Sequence, residues 1–296
     1  MNSVNQDFAR RRVMAAIDGG EMSVLRYGEK GAPPMLFAHA NGFCASAYRQ
    51  MFEALGAKFD IFGVDLRGYG ATHLPIDPGN HQSMDIFADD VRALLPALAA
   101  RFEIAQKWVL AGHSLGGATM ALAATGRHDV DSLRLIEPVA MPGPWTILVR
   151  TPLWPVISAG LPLVKAARGR RAVWPDRDAV RSSYAKKPFF STWAEGVLED
   201  YLADGLRDDG GRVVLSCPPS WEAATFAGQA HDFWSAIRRA PAPVRVLAAR
   251  HPTTTVPERS IRALEKYGVD VIRIVGNSHI VPFENPKLAA AFLAGN

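Results

Sequence analysis

Residues 112–117 read Gly-His-Ser-Leu-Gly-Gly, a G-x-S-x-G pattern that follows the apolar run 108–111 and opens into an Ala-rich stretch over 118–125. A serine on a sharp strand-to-helix turn needs glycine two residues to either side, because side chains there would strike neighbouring backbone. Such a turn presents Ser114 Oγ at the C-terminal edge of a sheet, beside a helix N-terminus whose N–H groups can meet negative charge. With a base to take its proton, the hydroxyl is a nucleophile. Of the eight histidines, His279 lies just past the final strand-like run, on a loop that reaches the same sheet edge, with Ile280, Val281 and Pro282 to pack it in place. It is expected to be the general base. His73, His81, His128, His231 and His251 stand in no motif and read as surface or core residues. A carboxylate must then orient the imidazole. Glu137 ends the run 133–136 after the Ala-rich helix and follows two buried positions at the correct sheet edge. Glu258 takes second place, because behind Pro257 it reads as a first-turn helix residue whose charge simply complements the dipole.

These residues require a frame that brings strand ends to one edge. Two short runs in residues 10–27 flank Asp18-Gly19-Gly20 and read as a hairpin. Apolar runs over 34–38, 59–64, 108–111 and 133–136 are separated by helical stretches over 46–58, 84–101 and 118–125. Buried strands alternating with helices predict a doubly wound, mostly parallel α/β sheet. The rhythm stops over 141–239, where Trp, Pro and Arg are frequent, and this stretch is expected to be an inserted, mainly helical cap or lid. It resumes with runs at 244–248 and 271–275, a helix over 257–267 between them and a last helix over 285–294. The expected division is a core of residues 1–140 and 240–296 and a cap of 141–239.

Four motifs in this order resemble the α/β-hydrolase superfamily, over nearly the whole chain from about residue 10 to the end. They are the G-x-S-x-G elbow, His39-Ala40-Asn41-Gly42-Phe43 after a strand, Asp65-Leu66-Arg67-Gly68-Tyr69-Gly70, and Gly276-Asn277-Ser278-His279 after the last strand. The resemblance is to cap-bearing serine hydrolases of the esterase and lipase kind. It implies that His113 packs beneath the elbow and that His39 braces the oxyanion loop. It implies an oxyanion hole made by the N–H of Leu115 and a second from the 39–43 loop: Asn41 when the loop is aligned from His39, Phe43 when counted from Gly42. Many relatives carry an aspartate shortly after the strand that here reads 244–248, but this loop is Arg250-His251-Pro252-Thr253-Thr254-Thr255-Val256-Pro257. Some cap-bearing relatives, including a subset of haloalkane dehalogenases, place their acid where Glu137 stands.

Acyl transfer is the chemistry this set would perform, with Ser114 attacking a carbonyl, His279 taking its proton and Glu137 holding the ring. Relatives that open epoxides or cleave carbon–halogen bonds use an aspartate. Displacement at carbon by Ser114 would leave an ether with no carbonyl for water to attack. Esters, thioesters and lactones are therefore the expected substrates. Carbon–carbon bond hydrolysis and cofactor-free perhydrolysis on the same triad are alternatives, as is a ligand-binding homologue without turnover, which the threonines at 253–255 keep open. Met141, Trp145 and Ile147 at the cap entrance, with Phe43 and Ile280 opposite, suggest an apolar pocket under a lid and a small apolar ester-type substrate.

Composition sets the remaining bounds. The 296 residues are 48% hydrophobic and 21% charged, which suits a globular core rather than disorder. Cys44 and Cys217 offer no metal-ligand spacing and no staple set, and read as two buried free thiols of a reducing compartment. The N-terminus has no apolar segment behind its basic residues, so a cytoplasmic location is expected. The longest apolar stretch, 137–165, is broken by six prolines, which argues against a membrane span. Net charge is +4, but residues 141–190 hold nine Lys/Arg against two Asp, a local +7. No nucleic-acid reading module accompanies it, so no nucleic acid is expected; the reading is a solvated cationic face, with weak contact to anionic lipid as the lesser one. Without a metal cluster or nucleotide-binding fingerprint in the sequence, no cofactor is expected.

Overall fold

The computed structural model describes residues 3–141 and 143–295, without the side chains of 3–5 and 143–145. The main sheet is built from β1 (Arg12–Ile17), β2 (Gly20–Gly28), β3 (Pro34–Ala38), β4 (Asp60–Val64), β5 (Trp108–His113) and β6 (Val130–Ile136). Between β6 and the last two strands of this sheet, the chain forms β7 (Val173–Trp174), β8 (Leu206–Asp209) and β9 (Arg212–Leu215), and it returns with β10 (Val244–Ala249) and β11 (Asp270–Ile274). The strand order of the main sheet is β1-β2-β4-β3-β5-β6-β10-β11. Only β2 runs against the others: it is antiparallel to β1 and β4, and every pairing from β4 to β11 is parallel. This is the doubly wound, mostly parallel α/β sheet that the alternating pattern predicts.

All five residues of β3 and of β4 and all six of β5 are buried, which explains why these strands read as unbroken apolar runs rather than alternating ones. Successive side chains still go to opposite faces. Trp108 and Leu110 join the core that holds Leu36, Phe62, Leu133 and the helix Asp85–Phe102. Val109 and Ala111 join the core that holds Met35, Phe37, Ile61 and the helix Pro286–Ala294. The Asp18-Gly19 turn closes the hairpin between β1 and β2, with Ile17 opposite Gly20 and Gly19 at φ +87°.

Residues 143–238 leave the main sheet. They form short helices and, as an addition to the expected helices, the small antiparallel sheet β7-β9-β8. Its β8–β9 turn is Asp209-Gly210-Gly211-Arg212, with Gly210 at φ +53° and Gly211 at φ +81°. That Gly-Gly pair was a legible hairpin signal. The expected helix over 46–58 is likewise interrupted, running as an α-helix only over Arg49–Leu55 with 3₁₀ turns on both sides. Among the described residues no helix is long and apolar enough to cross a membrane.

Candidate active site

The turn from β5 into the helix Leu115–Ala124 holds Ser114 at φ +55°, ψ −111°, a left-handed backbone that a non-glycine residue adopts only under constraint. The constraint comes from both sides. Ser114 N–H donates to Ile136 O at 2.9 Å, and its carbonyl accepts from Ala118 N–H and Val139 N–H. The glycines have a measurable reason to be there. A Cβ on Gly116 would stand 2.0 Å from Ala38 O, and one on Gly112 would stand 2.4 Å from the Gly116 carbonyl.

Ser114 Oγ lies 3.0 Å from His279 Nε2, and His279 Nδ1 lies 3.0 Å from Glu137 Oε2. With Glu137 ionised, Nδ1–H donates to the carboxylate and Nε2 is left to accept the serine proton. His279 is itself located by its backbone, whose N–H donates to Thr253 Oγ1 at 3.2 Å and whose carbonyl accepts from His113 Nε2–H at 2.8 Å.

Glu137 is fully buried, directly after β6, at φ +47°. A buried carboxylate is costly unless donors replace its hydration. Here Oε1 accepts from Ala249 N–H at 2.6 Å and Oε2 from Thr255 N–H at 2.9 Å. The Thr254 hydroxyl lies 2.8 and 2.9 Å from the two oxygens. Thr255 Oγ1 donates to the Glu137 carbonyl at 2.7 Å, which ties down the unusual backbone. The threonines that stand where many relatives carry an acid are thus the cradle for an acid supplied by the neighbouring strand. Sequence reading missed them as site residues; the signal available was a run of hydroxyls opposite an acid at a strand end. Glu258, the other carboxylate considered, faces solvent and lies near Arg262 and Arg273 at 3.7 and 3.8 Å.

The 39–43 loop is held by buried polar side chains. His39 Nδ1–H donates to Ala40 O at 2.8 Å while Nε2 accepts from Leu66 N–H at 3.0 Å, and burial lowers its pKa to about 4, so the ring is neutral. Tyr48 OH accepts from Ala40 N–H and donates to His113 Nδ1 at 2.8 Å. His113, also held neutral by burial, passes the chain on to the His279 carbonyl. Asn41 Nδ2 donates to Glu222 O, Asn41 Oδ1 accepts from Tyr69 OH, and Gly42 O accepts from Tyr201 OH. Arg170 pairs with the Glu222 carboxylate and donates to the Tyr184 and Tyr201 hydroxyls. Tyr48, Tyr201 and Glu222 come from stretches whose sequence carries no motif.

Of the two loop N–H groups considered for an oxyanion, that of Phe43 donates to Ala40 O at 3.2 Å, whereas that of Asn41 has no acceptor among the described residues. Leu115 is the first residue of its helix, where an N–H has no intrahelical partner. The proposed pocket residues are more dispersed. Phe43 packs among Phe189, Trp193, Tyr201 and Phe283, and Ile280 is buried. Met141 is half-buried, with its carbonyl accepting from Trp234 Nε1–H. The Trp145 side chain lies outside the described residues. Ile147 projects into solvent.

Fold and site geometry together define an α/β hydrolase. The model of the alpha/beta hydrolase family matches residues 35–292, and the chain belongs to that family. It is 35% identical over 111 residues to AB hydrolase superfamily protein YisY of Bacillus subtilis (strain 168), a match covering 36% of this chain and 38% of that protein. It is 32% identical over 90 residues to Epoxide hydrolase 4 of Homo sapiens, covering 30% of this chain and 23% of that one. The matches to these curated relatives therefore span well under half of their length. Among solved structures, E-2-(acetamidomethylene)succinate hydrolase superposes with TM-score 0.76 at 19% identity, covering 96% of this chain and 97% of that one.

Proposed function

We propose that this protein is a serine hydrolase of carboxylic esters or of closely related thioesters and lactones, with Ser114 as nucleophile, His279 as general base and Glu137 as the orienting acid. The observation that carries the reading is the continuous hydrogen-bonded line from Ser114 Oγ through His279 to the buried Glu137 carboxylate. His279 Nε2 takes the hydroxyl proton as Oγ bonds to the substrate carbonyl carbon. The oxyanion is met by the N–H groups of Leu115 and Asn41, each worth about 3 kcal/mol of barrier. Collapse expels the alcohol or thiol, which takes the proton from His279, and leaves an acyl-serine. Water attacks in the same way and releases the acid and Ser114. Residues 141–239 act as the cap over this site, and Met141 contributes to an apolar acyl pocket. Epoxide opening, the reaction named for one relative, is disfavoured because a serine ether has no carbonyl for water to cleave. The four donors around the Glu137 carboxylate, two of them from Thr254 and Thr255, favour reading the threonines as support for an acid over reading them as the loss of one.

A fluorophosphonate probe followed by intact mass tests this reading. One adduct on the wild type and none on Ser114→Ala is expected. A folded wild type that stays unlabelled while simple esters go uncleaved would sink it.

A further inference from the structure

The short helices of residues 143–168 have two apolar faces, and only one of them is used for folding. On the inner side Val149 and Trp154 pack with Ala230, and Val164 and Ala167 pack with Ala223. Trp154 Nε1–H donates to Ala227 O, and the helix Pro162–Arg168 lies along the helix Pro219–Ala227, which also carries Glu222 to the oxyanion loop. Other apolar side chains of these helices face solvent: Ile147 is 71% exposed, Leu153 67%, Val156 78% and Leu163 60%. Leu153, Val156 and Ile157 are spaced i, i+3, i+4 and so share one helical face. Large apolar side chains concentrated in this way on a surface mark an interaction site.

Charge says what kind of surface it meets. Residues 138–175 contain no Asp or Glu and five basic residues, Arg150, Lys165, Arg168, Arg170 and Arg171. Arg170 is spent on Glu222. Lys165, Arg168 and Arg171 are exposed and make no ion pair among the described residues. Arg171 lies over the Trp174 ring and donates to Val173 O, which leaves Lys165 and Arg168 as the free cations of this segment. Projecting apolar side chains on a segment with exposed cations and no acid suit the headgroup boundary of an anionic bilayer, where the apolar tips enter and the cations meet lipid phosphate. A second copy of the chain fits poorly, because a two-fold contact through this face would bring the same unpaired cations together. We propose that this outer face docks reversibly on anionic lipid membranes. The inference is independent of the catalytic reading, since it concerns no residue of the site.

Vesicle co-sedimentation at low salt tests it, with phosphatidylcholine alone and with phosphatidylcholine containing phosphatidylglycerol. Retention on the phosphatidylglycerol vesicles, reversed by salt, is expected. Leu153→Asp/Val156→Asp and Lys165→Glu/Arg168→Glu should each lower retention by about tenfold or more. Thermal melts of both variants establish that they are folded, which surface positions of this kind permit. Retention equal on neutral and anionic vesicles overturns the proposal, as does none on either. A wild-type dimer in light scattering that Leu153→Asp/Val156→Asp converts to monomer also overturns it, in favour of a second copy.

Discussion

At the scale of single residues, the Glu137 carboxylate accepts from Ala249, Thr254, Thr255 and His279, about the four donors its lone pairs can take, and its position is set by a left-handed backbone that Thr255 anchors. This arrangement satisfies the buried carboxylate and aims it at His279 Nδ1. Glu137→Gln retains the shape but, with its amide N–H₂ turned to the ring, would favour the tautomer that cannot accept the serine proton. By analogy with an orienting aspartate in a serine protease, kcat for a simple ester should fall about 10³-fold or more. Thr254→Val removes one donor and should cost about tenfold in kcat with little change in KM. Glu258→Gln, altering an exposed residue that makes no hydrogen bond to this line, should leave both constants near wild type. Steady-state kinetics on the three variants checks the set, and unchanged turnover in Glu137→Gln would remove that residue from the mechanism.

The elements meet at places too tight for an added methyl group, or joined by groups too buried to lose a partner. Gly116 packs its backbone against the end of β3, so Gly116→Ala must move either the elbow helix or β3. A loss of more than about 3 kcal/mol in urea unfolding is expected, or no folded protein. Tyr48 links the loop after β3 to the elbow and to the His279 carbonyl through His113. Tyr48→Phe leaves Ala40 N–H and His113 Nδ1 buried without partners. That should cost about 2–4 kcal/mol of stability, measured by the urea midpoint, together with a lower kcat.

For the whole molecule, the buried histidines couple stability to pH. Burial lowers His39, His81 and His231 from 6.5 to about 4, and it also holds His113 well below its ordinary value. The unfolded chain therefore binds more protons than the folded one once pH drops below about 6.5, and stability falls from there toward pH 4. Asp200 acts in the opposite sense. Burial raises it to about 6 despite its pairing with Arg49, so it favours the folded state as pH falls through 6 and offsets part of the loss. The net expectation is a urea midpoint that declines between pH 6.5 and 4 by an amount worth several kcal/mol. His231, whose two ring nitrogens have no partner among the described residues, offers the cleanest check, because His231→Asn should flatten that decline.

The alternating apolar runs determined the sheet, since strands buried on both faces leave an unmistakable mark and the glycines about Ser114 permit one sharp turn. Ser114, His279 and Glu137 were legible as a set because each follows a strand run, and parallel strands bring their ends to one edge. Which carboxylate meets the histidine was decided by the tertiary structure. Glu137 and Glu258 both follow plausible elements, and only the backbone turn at β6 and the Thr254–Thr255 cradle bring one of them to His279. That Phe43 N–H is taken up by Ala40 O is a matter of a single loop hydrogen bond that no sequence pattern encodes. The small sheet β7-β9-β8 left only its Gly210-Gly211 turn as a signal, because its strands have two to four residues, too few for a period to show. Tyr201 and Glu222 reach the 39–43 loop across long sequence separations, and Tyr48, close to that loop in sequence, joins it to the distant His113. Local pattern identifies the groups that could react, whereas the contacts that hold them are made by residues the chain brings together only on folding.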